Sequence, residues 1–247
     1  SMLGSCVRAE FMKLRRSPIW LAYLLLPAFS CFIGSVNYSA NLKVLTPGWE
    51  NLWTQQTIFI CYFFLPPLLG VGCSYLWRLE HAGANWNGLM CAPVSPGCVF
   101  GAKLVVGAVL SAVSFASIAA FYVVSGVVLG VPGTFPTARI ALYLGLGFLG
   151  SLVIVAFQLV VSMLVRSFAA PVGIALAGGI AGLVATLAGA GNVFPYSLVQ
   201  TAMNSNNLVD LSMATIIQVS LFSIMYVALA CAFATRRLSR QDIVATA

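Results

Sequence analysis

Two glycine patterns and one histidine are the first residues of this sequence to suggest chemistry. Gly145-Leu146-Gly147-Phe148-Leu149-Gly150 spells G-x-G-x-x-G, which holds a dinucleotide pyrophosphate when it follows a strand and opens a soluble helix. Here it lies inside an apolar run, where helix packing through small residues explains it. The stretch from Gly97 to Lys103 has the wrong spacing for a phosphate loop, and no Ser or Thr follows its lysine. The chain therefore carries no nucleotide site of its own. His81 is the only histidine, and the seven cysteines (Cys6, Cys31, Cys61, Cys73, Cys91, Cys98, Cys231) include no C-x-x-C pair. A protein metal site needs more ligands than this, so none is expected. Intramembrane enzymes keep ionisable groups at membrane depth because such groups are too costly to hold there without use. No Asp, Glu, Lys, Arg or His falls near the middle of any span that the apolar runs define. A di-aspartyl protease, a metalloprotease and a lipid phosphotransferase all lack their reacting groups, and a proton-coupled carrier lacks its carboxylate.

Composition dictates the elements that hold these residues. Of 247 residues, 61% are apolar and 7% charged, whereas a soluble surface carries roughly 25% charge. The chain is solvated mostly by lipid, which excludes a soluble enzyme, an ATPase cassette and a nucleic-acid module. A helix needs ~20 apolar residues to cross the hydrocarbon. The runs predict one all-α transmembrane domain over residues 1–247, with six spans at about 17–38, 57–77, 102–130, 139–165, 168–191 and 212–234. Pro66-Pro67 breaks the second in its middle. Leu3, Val7, Phe11 and Leu14 recur at helical spacing among Arg8, Lys13, Arg15 and Arg16. They predict an amphipathic N-terminal interfacial helix, too charged for a cleavable leader. The stretch Asn192–Leu211, between spans five and six, is amphipathic and polar.

Six crossings gather Arg8, Lys13, Arg15, Arg16, Arg78, Lys103, Arg166, Arg236, Arg237 and Arg240 on one side and leave Lys43 and Arg139 on the other. The excess predicts both termini in the cytoplasm. The net charge of +7 is thus a topology signal, not a nucleic-acid footprint. Trp20 and Trp77 are expected at the inner boundary, and Tyr38, Trp49, Trp53 and Tyr143 in an outer aromatic belt. No cysteine lies in an outer loop, so no structural disulfide is expected. The pairs Gly126/Gly130 and Gly178/Gly182 permit close helix contact, within the chain or between two copies.

After the second span, Leu79, Ala82, Trp86, Leu89 and Met90 trace one helical stripe, with Glu80, His81, Asn85 and Asn87 off it. A helix of this kind either rests on lipid or docks into a groove on a soluble partner. In the second case Trp86 is the anchor, with Glu80 and His81 as a polar rim. Trp49, Trp53 and Gln56 are either an interfacial belt or a contact surface for an amphipathic peptide.

Leu45-Thr46-Pro47-Gly48-Trp49-Glu50, Trp53-Thr54-Gln55-Gln56, Ser74-Tyr75-Leu76-Trp77-Arg78-Leu79-Glu80-His81, Asn85-Trp86-Asn87 and Ala92-Pro93-Val94-Ser95 resemble one family. They are similar to the permease subunits of type-2 ABC exporters, in the branch conferring self-immunity to lantibiotics and related peptides. Pro96-Gly97-Cys98 departs from the basic or bulky residues common there. The resemblance implies that Leu79–Met90 is a cytoplasmic coupling helix seated in a separate ATPase, which binds the ATP and Mg; this chain needs no cofactor. It further implies a second permease subunit, identical or homologous, a bacterial plasma membrane, and removal of an antimicrobial peptide from that membrane. It implies too that Asn192–Leu211 folds as short extracellular helices before the last span. A membrane scaffold without transport and a permease for another lipophilic substrate are the rival readings.

Overall fold

Lipid offers a backbone no hydrogen bonds, so a crossing segment must satisfy its own N–H and C=O groups. The computed structural model describes residues 1–82 and 85–240, with only the backbone at Asn87 and Met90. Its described residues form helices and connecting turns, with no strand among them. In chain order the helices are α1 (Met2–Leu14), α2 (Ile19–Ala40), α3 (Trp49–Phe59), α4 (Leu65–His81) and α5 (Asn85–Cys91). They continue with α6 (Pro96–Val128), α7 (Thr137–Leu164), α8 (Ala169–Leu187), α9 (Leu198–Ala202) and α10 (Met213–Arg240). Six stretches are long and apolar enough to cross a membrane: α2, the continuous Trp49–His81, α6, α7, α8 and α10.

The second span differs most from expectation. It starts at Trp49 rather than near residue 57, and Pro66-Pro67 does not break it. The prolines lack N–H groups and crowd the carbonyls one turn before them. The helix accommodates this by widening into a π-helical turn at Ile60–Phe64 between α3 and α4. Gly179 of α8 packs on this turn; a Cβ there would lie 2.7 Å from the Tyr62 carbonyl oxygen. The third span also begins early, at Pro96. The Ser95 hydroxyl accepts from the Cys98 amide at 3.3 Å, and proline occupies the first helical position.

Close approach accounts for most of the patterned glycines; a Cβ at Gly145 or Gly130 would meet nothing within 4 Å, and Gly130 takes a positive φ just past the end of α6. A Cβ at Gly150 would lie 2.9 Å from the Val199 amide nitrogen, and one at Gly182 would lie 3.0 Å from the Tyr196 carbonyl oxygen. Both gaps admit the turn Pro195–Ser197 and α9, whose Leu198, Val199 and Ala202 are fully buried. Gly126 and Gly178 face the rings of Trp49 and Tyr196. All four glycines thus serve packing within the chain.

Of the residues expected in aromatic belts, Trp20 alone stays half-exposed and the others turn inward. Trp53 and Trp77 are 2% and 0% exposed, and Tyr38, Trp49 and Tyr143 are buried with them. Trp49 and Trp53 meet the Tyr122 ring edge-on at 5.5 and 5.1 Å. The stretch read as a polar outer loop is instead the head of the second span, so its tryptophans turn inward.

Candidate functional site

Four charged side chains from three helices meet where the second span ends and the third begins. On α1, Glu10 and Lys13 are one turn apart, and Lys13 Nζ lies 2.7 Å from Glu10 Oε1. α1 packs along α6 and brings this pair to Lys103, whose side chain is wholly buried. Lys103 Nζ lies 3.0 Å from Glu10 Oε1 and 2.9 Å from Glu80 Oε1, and donates to the Leu76 carbonyl at 2.6 Å. Lys13 closes the ring, 2.6 Å from Glu80 Oε1. Charges alternate around it and sum to zero. Removing four charges from water costs about what their attraction returns, so such a ring fixes a geometry more than it adds stability. Burial alone would lower the Lys13 pKa, but the hydrogen bonds and charges of Glu10 and Glu80 outweigh it and hold the ammonium above its ordinary value. Glu80 Oε2 and Trp77 Nε1 are buried without a hydrogen-bond partner.

This ring reaches α5 through aromatic contacts. Lys103 Nζ stands 4.5 Å from the centroid of the Trp77 ring, a cation–π contact strengthened by dry surroundings. Trp77 in turn stacks on Trp86 of α5, centroids 5.5 Å apart and planes 14° from parallel. Trp86 Nε1 donates to His81 Nδ1 at 3.2 Å, and His81 Nε2 meets the Ser162 carbonyl of α7 at 2.6 Å. Because Nδ1 accepts, Nε2 carries the hydrogen and donates it to Ser162. A displacement of α5 is therefore felt by α4 directly, by α7 through His81, and by α6 and α1 through Trp77 and Lys103.

The structure rearranges the stripe read from sequence. Residues 79–90 are not one helix: α4 ends at His81, and α5 begins at Asn85, whose side-chain amide donates to the Leu79 carbonyl at 2.8 Å. Leu79 and Asn85 are exposed, and Trp86 and Leu89 are half-buried against the bundle. Glu80 corrects the expectation of a polar rim, because it is buried toward Lys103 rather than presented outward. The side chains of Asn87 and Met90 lie outside the described residues.

At the opposite end, Trp49, Trp53 and Gln56 are close together but enclosed. Trp53 Nε1 donates to the Met203 carbonyl at 2.7 Å. The Gln56 amide donates to the hydroxyls of Ser35 and Ser125 at 2.9 and 2.6 Å, and its Oε1 has no partner. These residues form neither a belt nor an open contact surface in this conformation. Arg139 ties the same end together, lying 3.3 Å from Glu50 and 2.8 Å from Asp210.

Glu10, Lys13, Trp77 and Lys103 escaped the sequence reading as site residues. The available signal was Lys103 itself, a single cation inside the apolar run from Val99 to Val106, where an unpaired charge is untenable.

Residues 6–182 match a family described as ABC-2 family transporter protein, a stretch that holds every member of this constellation. No curated protein matches the chain.

Proposed function

The chain belongs to the ABC-2 transporter family, and on that premise we propose that it is the permease subunit of an ATP-driven exporter. A separate ATPase supplies ATP, Mg and hydrolysis, and a second permease, identical or homologous, completes the pathway. The membrane is a bacterial plasma membrane with both termini cytoplasmic. The cargo is an amphipathic antimicrobial peptide of the lantibiotic kind, and the outcome is immunity. Trp49, Trp53 and Gln56 meet that peptide once the outer ends of α2, α3 and α6 part.

One observation carries the coupling role: α5 is joined to Trp77 through Trp86 and to α7 through His81. The ATPase presses on the segment Leu79 to Met90. Exposed Leu79 and Asn85 touch it, while Trp86 passes the displacement inward with Glu80, His81, Asn87, Leu89 and Met90 shaping the segment. The test compares Trp86→Ala with wild type in ATPase co-purification, peptide-stimulated hydrolysis and peptide resistance. An aromatic stack is worth about 0.5–1.5 kcal/mol beyond its area, so coupling should fall about two- to tenfold while the fold survives. Full resistance and stimulation in the variant would overturn the coupling role.

A further inference from the structure

A second constellation lies on the other side of the α4 terminus. A cavity of about 210 Å³ opens there between the ends of α4, α7 and α8, lined by Ser74, Arg78, His81, Ser162, Arg166 and Ser167, with Phe168 at its edge. Its chemistry is that of an anion site. Arg78 and Arg166 take part in no ion pair among the described residues; the pairs there use Lys13, Lys103 and Arg139. Glu80, the acid nearest in sequence, is turned toward Lys13 and Lys103. The Ser74 and Ser162 hydroxyls meet at 3.3 Å on the wall, and both residues are buried. The positive end of the 19-residue α8 begins beside it, where Ser167 Oγ accepts from the Ala170 amide at 3.2 Å.

Position decides which anion. Arg78 sits in the last turn of one span, and Arg166 sits in the short turn joining the next two. The cavity thus lies at the bilayer boundary, on the end that carries ten of the twelve basic residues, where lipid phosphates stand. Phe168, just before α8, and Ile174 on α8 are both exposed, giving apolar surface for an acyl chain. The volume suits a phosphodiester with its glycerol carbons and is too small for a whole lipid. We propose that this cavity binds the phosphate headgroup of an anionic lipid, held by Arg78 and Arg166 against the ends of α4, α7 and α8.

The test uses the full chain in neutral detergent, titrated with phosphatidylglycerol, phosphatidylcholine or inorganic phosphate, with bound lipid and thermal unfolding both followed. Variants are R78Q/R166Q and, as a charge-matched control away from the cavity, R236Q/R237Q. Phosphatidylglycerol should bind and stabilise wild type and the control pair. R78Q/R166Q should bind it about 30-fold more weakly, the loss expected for two arginines near an anionic surface. Equal weakening in both pairs would reduce the effect to net charge and overturn the site. Equal stabilisation by inorganic phosphate would overturn the lipid assignment. If R78Q/R166Q keeps its lipid but loses a co-expressed ATPase in a pull-down, the arginines belong to a protein interface and the proposal falls. Because R78Q/R166Q leaves Trp86 intact, failure here is distinguishable from failure of the coupling role.

Discussion

Trp77 and Trp86 lie face to face, 5.5 Å between centroids and 14° from parallel, across the break between α4 and α5. Trp77 is completely buried and also carries the Lys103 ammonium on its ring. This stack, with the Trp86–His81 hydrogen bond beside it, joins α5 to a buried charge ring rather than only to the loops at its ends.

Lys103→Met should be among the most damaging single changes. It leaves Glu10 and Glu80 buried with one cation between them, and breaking a buried pair costs about 3–5 kcal/mol. Thermal unfolding in detergent measures the loss. Adding Glu10→Gln and Glu80→Gln should recover part of it, because neutral partners remove the uncompensated charge. An unchanged midpoint for Lys103→Met would show that the ring does not close.

Gly179→Ala and Gly173→Ala should act in opposite directions. At Gly179 a Cβ meets the Tyr62 carbonyl at 2.7 Å and Pro66 Cγ at 2.9 Å, whereas nothing lies within 4 Å at Gly173. Overpacking costs about 1–3 kcal/mol, while alanine in an open helix interior gains up to ~1 kcal/mol. Comparing the two unfolding midpoints checks whether α8 rests on the π-helical turn.

Trp53→Phe keeps an aromatic ring but removes the donor to Met203. A buried carbonyl left unpaired costs about 1–3 kcal/mol, so protein yield and unfolding midpoint should both fall. Immunity lost at full yield and an unchanged midpoint would instead assign Trp53 directly to the peptide.

Alkaline pH should loosen α1. The Lys13 pKa is raised in the folded state above its ordinary 10.5. Its contribution is therefore complete below that value and disappears as pH rises through the folded one. Hydrogen exchange of residues 2–14 should accelerate over that window in wild type. Lys13→Gln should exchange faster from the start and show less change with pH.

Single cysteines on a cysteine-free background test the orientation. Positions 43 and 206 should react with an impermeant reagent from outside, and position 85 only after permeabilisation. The reverse pattern would move α5 away from any cytoplasmic ATPase.

The sequence by itself determined the class, the six spans and the gathering of positive charge at one end. Each is a local property: a crossing helix satisfies its own backbone, and its apolar length is written consecutively. The matched family was legible as well, from the Trp- and Pro-containing stretches between residues 46 and 103. Only the tertiary structure decided which way side chains face. In water a polar stripe marks the outside of a helix, but lipid is as apolar as the core, so a span carries no such mark. α8 shows the consequence: its exposed flank carries Ile174, Ile180 and Val184, while Pro171, Ala175, Gly179 and Gly182 face the bundle. The same ambiguity hid Glu80, which counts as polar and therefore outward until Lys103, 23 residues on, and Glu10 and Lys13, some seventy residues back, arrive around it. Those partners become neighbours only when α1 settles between the ends of two spans, and no spacing along the chain records that meeting.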